Sequence, residues 1–165
     1  MSGAADIDAL LAAPKTLAGT PRWVPDNISA VVKLIAPIAV DGVVGGLVLH
    51  AHANLHTTPQ RGGCVLVYEG RPVQRLSVQP DHAHLNPLHS AIPREHRGVT
   101  LPAGQSRFHP WRLNRVWPRP PNDNVAVAEL VETEFAAFEN AVTIFLQACA
   151  IDGALPPPPW EPRLI

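Results

Sequence analysis

Apolar and polar positions change period several times along the chain, and each change predicts an element. Residues 6–13 place Ile7, Leu10 and Leu11 on one side of a short helix that Pro14 ends. Pro21 to Pro25 form an extended lead-in. A Val- and Ile-rich run over 29–39 then predicts a strand, followed by an Asp41-Gly42 turn. Gly45-Gly46 opens a second strand over 47–55, and the segment 58–63 forms the next turn. Residues 64–68 and 73–78 pair as a hairpin around Glu69-Gly70-Arg71-Pro72. Short connections with no helix between them predict an antiparallel meander. Further short strands fit 99–101 and 107–115, after which Pro118, Pro120 and Pro121 stop regular structure. From 125 to 151, Val127, Val131, Phe135, Phe138, Val142, Phe145 and Cys149 recur at steps of three and four. That stripe predicts one helix about 40 Å long, capped by Asn122, Asp123 or Asn124 and stopped at Asp152-Gly153.

The expected fold class is therefore α+β. It has a short N-terminal helix and an antiparallel β-meander of four to six strands, packed against one long C-terminal helix. A length of 165 residues is read as one domain, 1–165. Within it lie a helix and extended lead-in (1–28), a His/Arg/Pro-rich loop region (82–124) and a Pro-rich tail (153–165).

Composition adds three constraints. Apolar content of 46% suits a globular chain, and a net charge of −1 argues against a whole-molecule footprint for nucleic acid. The two cysteines, Cys64 and Cys149, make no disulfide framework and suit a reduced cytoplasmic chain. The apolar stretch 28–49 is interrupted by Lys33, Pro37, Asp41 and glycines, so strands fit it better than a membrane span.

Charge is not evenly spread. Between 82 and 119 lie His82, His84, His89, His96 and His109 with Arg94, Arg97, Arg107, Arg112, Arg115 and Arg119, against Glu95 as the sole carboxylate. Arginine in such a loop suits bidentate contact with phosphate. Two imidazoles with an arginine are the parts needed for metal-free RNA cleavage: base, acid and phosphorane stabiliser. His84, His109 and Arg112 are the candidates for those roles, with Arg107, Trp111, Arg115 and Asn86 as ligand-binding residues. Trp111 and Trp117, interleaved with arginines, fit base stacking or equally a half-buried strand that caps the core.

A separate candidate lies on the second strand. His50 and His52 share one of its faces, and H-x-H on a strand supplies two metal ligands. His109 or His84 would be the third, around zinc, iron or nickel. In Gly46, His50-Ala51-His52, Pro102-Ala103-Gly104, His109 and Asn114 this arrangement resembles the cupins, though no Glu follows His52 at the cupin interval. Over more of the chain, the meander, His84-Leu85-Asn86-Pro87, Phe108-His109-Pro110-Trp111 and the terminal helix resemble a group of small bacterial proteins. Some of these are suspected of belonging to toxin–antitoxin or mobile-element neighbourhoods, and the resemblance implies a fold more than a function. The opening helix, meander and H-x-N element are also similar to ubiquitin-conjugating enzymes. No cysteine follows His84–Asn86 in the loop, so no thioester can form there.

Three expectations stand side by side. The first is a cytoplasmic bacterial protein that binds a nucleic acid or other anionic partner through 82–119, with RNA hydrolysis as its possible reaction. The second is a His-ligated, cupin-like metal protein. The third is a non-catalytic interaction module that uses the exposed sheet face or 156–160 to bind a partner or another copy of itself.

Overall fold

The computed structural model describes residues 3–116 and 124–160. Helix α1 (Ala4–Ala12) opens the chain and gives way to short strands β1 (Lys15–Leu17) and β2 (Val24–Pro25). Four long strands follow: β3 (Val31–Val40), β4 (Val43–Asn54), β5 (Arg61–Tyr68) and β6 (Arg71–Val78). Two of their connections are two-residue turns with both φ angles positive, Asp41 (50°) with Gly42 (75°) and Glu69 (48°) with Gly70 (80°). That geometry matches the twist of the flanking strands and fixes their register.

The later elements are short. They are β7 (His84–Leu85), β8 (Thr100–Leu101), β9 (Arg107–His109), α2 (Trp111–Asn114), β10 (Glu129–Leu130), α3 (Phe138–Ala148) and β11 (Ile151–Asp152). Strands β7 and β8 pair only with each other. The main sheet has nine strands in the order β10-β9-β6-β5-β4-β3-β1-β11, with β2 added on β3. It is mixed, because β11 runs parallel to β1 while the other pairs are antiparallel.

This corrects the expected α+β class of a four-to-six-strand meander on one long C-terminal helix. The protein is mostly β, and the predicted helix over 125–151 is limited to the eleven residues of α3. The reason is tertiary. Asn114 donates to Val127 O and accepts from Val127 N (2.9 and 2.8 Å), and Asn86 does the same to Ala128 (both 2.8 Å). Two buried asparagine amides thus take up backbone groups that a helix would have used internally, and β10 pairs with β9 immediately after. Val127 and Val131 belong to an extended segment whose apolar spacing imitates a helix. The predicted caps Asn122 and Asp123, with Trp117, Pro118, Arg119, Pro120 and Pro121, lie outside the described residues.

Helix α3 covers one face of the sheet, with Phe138, Val142, Phe145 and Leu146 buried together with Leu34, Leu49, Leu66 and Leu76. Phe145 meets Phe108 of β9 edge to face at 6.1 Å. Phe138 sits so close to β5 that a Cβ at Gly62 would lie 2.5 Å from its ring, so only glycine lets the helix dock there. The tail to Trp160 lies along the same helix. Pro158 is buried, Trp160 packs on Phe138 at 5.8 Å, and its indole donates to Glu139 (2.5 Å). Among the described residues no helix is long and apolar enough to cross a membrane.

Candidate anion-binding site

Residues of β4, β5, β6 and β9 alternate between the face under α3 and the opposite face, and the registers align the outer positions in rows. One row runs His50–Val65–Arg75–His109 and the next His52–Gly63–Ser77–Arg107. Asn54 and Arg61 form a third with Val31. A cleft of about 480 Å³ opens over these rows, with Pro80, Asp81, His82 and His84 of the following loop as its wall.

The cleft concentrates cations. Arg75 and Arg107 sit one strand and two residues apart, about 8 Å between Cα atoms by strand geometry. Arg107 is only 2% exposed. Its Nη1 donates to His82 O (3.0 Å) and its Nη2 lies 3.1 Å from His82 Nε2. The Nε–H groups of Arg61, Arg75 and Arg107 are buried with no acceptor among the described residues. Neither Arg75 nor Arg107 faces a carboxylate within ion-pair distance among those residues. Burial lowers the pKa of both, and Arg107 lowers that of Arg75 further. The one acid lining the cleft, Asp81, is exposed and takes its hydrogen bond from His82 Nδ1 (2.9 Å).

Two imidazoles complete the arrangement, their rings edge to face at 5.0 Å. Arg75 Nη2 lies 3.1 and 3.2 Å from the two ring nitrogens of His109; because Nδ1 donates to Val125 O (2.7 Å), Nε2 is the nitrogen free to accept. Burial, and then the Arg75 charge, push its pKa down to about 2, so the ring is neutral. His84 Nε2 donates to Ala126 O (2.8 Å), and burial also lowers its pKa. His84 lines the cleft. His109 lies behind Arg75 and holds the guanidinium in place. Across the cleft the His52 ring lies over Gly63, where a Cβ would come within 2.9 Å of His52 Cε1. Glycine at 63 is what leaves room for the imidazole at this point.

The residues expected from sequence are distributed unevenly over this geometry. His84 and His109 come together, and Arg107 joins them. Arg112 instead pairs with Glu129 and lines a different groove beside α3. Arg115 and the buried Trp111 both bind Asp8, fastening α1 to the sheet. Asn86 is buried and spends its amide on His96 O and the backbone of Ala128. Arg97 donates to Ser90 O and Ile92 O, within its own loop. Most of the cationic loop is thus fastened to itself or to nearby acids.

His50 and His52 share the outer face as expected, but His109 is three strands away from them. Among the described residues no group of three or more His, Cys, Asp or Glu side chains is placed to hold a metal ion. Arg61 and Arg75, central to the cleft, lie outside the loop that the sequence singled out. The signal that points to them is strand parity carried across the two tight turns. No family model, curated protein or solved structure matches the chain.

Proposed function

We propose that the outer-face cleft binds the phosphate group of an anionic ligand, with Arg75 and Arg107 as its principal contacts. The observation that carries this reading is the pair of neighbouring guanidiniums, desolvated and with buried N–H groups that no acceptor in the described protein satisfies. Each such donor costs about 1–3 kcal/mol when left unpaired, and an anion placed between them would remove that cost and their mutual repulsion. Neutral His109 fits the role of positioning residue, since a charged imidazole beside Arg75 would add to the repulsion. The cleft volume of about 480 Å³ suits a ligand the size of a nucleotide.

Thermal unfolding with added inorganic phosphate tests this reading. A ligand at one hundred times its Kd stabilises the folded state by about 2.7 kcal/mol, so Tm should rise with phosphate concentration. Arg107→Gln should abolish the rise. A wild-type Tm indifferent to phosphate counts against the reading. Hydrolysis of a bound phosphodiester is the second reading, favoured by His84 on the cleft wall beside both arginines. Loss of RNA-cleaving activity in His84→Ala, with phosphate binding retained, would support it.

A further inference from the structure

Three arginines line this cleft, but they do not form one cluster. By strand spacing, the Cα of Arg61 lies about 12 Å from that of Arg107 and about 14 Å from that of Arg75, compared with about 8 Å between Arg75 and Arg107. The electrostatics agree with that separation. Arg107 is the charge that perturbs Arg75, and Arg61 is not among the charges that act on it. The cleft therefore has two cationic poles, each with a buried and unpaired Nε–H. Between them lie the His52 ring beside Gly63 and the Ser77 side chain. A phosphate seated between Arg75 and Arg107 leaves the Nε–H of Arg61, on the neighbouring strand, for a second one. Two phosphates joined by an uncharged, ring-bearing unit would satisfy both, and the exposed His52 imidazole offers that ring a stacking partner.

We infer that the cleft takes a short single-stranded nucleic acid, with one phosphate on Arg75 and Arg107, the neighbouring phosphate toward Arg61, and the intervening base on His52. This inference rests on the phosphate-binding reading and adds a second contact point to it. The strand crosses the sheet from β9 toward β4, over the position that Gly63 keeps low.

The test uses the full chain and three probes: inorganic phosphate, uridine monophosphate and a fluorescein-labelled uridine hexanucleotide. Phosphate is followed by thermal shift and the hexanucleotide by fluorescence anisotropy. The hexanucleotide should bind more tightly than the monophosphate. With two phosphates neutralised on a single strand, its affinity should fall about sevenfold between 50 and 200 mM salt. Arg61→Gln should weaken the hexanucleotide about tenfold and leave the phosphate response unchanged. His52→Ala should behave likewise, and Arg107→Gln should lose both. A hexanucleotide bound no more tightly than the monophosphate, or unaffected by Arg61→Gln and His52→Ala, overturns the inference while the phosphate site stands. No response to phosphate in the wild type overturns both. A deoxyuridine hexanucleotide of equal affinity would show that the contacts are to phosphate and base alone, as inferred. A deoxyuridine hexanucleotide that does not bind would overturn that contact set.

Discussion

His109 makes the fold's stability depend on pH in a way that can be worked out in advance. Its ring is fully buried, and that burial, followed by the adjacent Arg75 guanidinium, pushes its pKa from the ordinary 6.5 down to about 2 against the hydrogen bond to Val125 O. The folded-state value is depressed, so between pH 6.5 and the folded value only the unfolded chain takes up this proton. Stability is therefore fully present above pH 6.5 and declines as pH falls below it. For any folded value well under 4.5, lowering the pH from 7 to 4.5 costs about 2.6 kcal/mol through this group alone, approaching about 1.4 kcal/mol per pH unit. His84, also depressed by burial, acts in the same direction. The measurement is urea unfolding in phosphate-free buffers at pH 7, 6, 5 and 4.5, for the wild type and for His109→Gln. Glutamine retains a donor for Val125 O and an acceptor for Arg75 but does not titrate. Its stability should therefore fall less steeply than that of the wild type, by nearly one proton's worth of slope. Equal slopes in the two proteins would refute the burial and charge arguments on which the site's neutral imidazole rests.

Other substitutions test separate parts of the structure. Gly62→Ala should destabilise by about 2–3 kcal/mol, because its Cβ would meet both the His52 carbonyl and the Phe138 ring. Gly45→Ala, where a Cβ meets nothing, is the control, and thermal denaturation reads both. Asn86→Ala should cost about 2–4 kcal/mol and speed amide exchange over 125–130, since it orphans the N–H and C=O of Ala128. Arg112→Ala should leave phosphate binding unchanged, because its partner is Glu129 and its groove is not the cleft, while Arg107→Gln removes binding. The phosphate-dependent Tm shift separates the two arginines.

The part of the fold legible from sequence is the part specified by local chemistry. Asp41-Gly42 and Glu69-Gly70 turn the chain as their backbone preferences require, and the alternation of Leu47, Leu49, Ala51 and Ala53 with His50 and His52 places the histidines outside the core. Those two facts also contain the cleft. Parity and register together align His52 with Gly63, Ser77 and Arg107, and His50 with Val65, Arg75 and His109. The dense loop 82–119 is the louder feature of the sequence but not the one that lines most of the cleft. Density of charge in sequence gives no account of which partners the charges will find, and Arg112, Arg115 and Arg97 find theirs locally.

The sequence by itself determined the meander, its two tight turns, which strand face carries imidazole and arginine, and the apolar stripe that becomes α3. Only the tertiary structure decided that 125–130 would be extended. Period-3.6 spacing states which residues prefer burial, but it cannot anticipate two asparagines, one 13 and one 42 residues away, satisfying the backbone of Val127 and Ala128 from the side. The same holds for the arginines. Whether a guanidinium ends up neutralised or left as an open anion site depends on which carboxylates folding brings within about 4 Å, and that distance is a property of the assembled sheet.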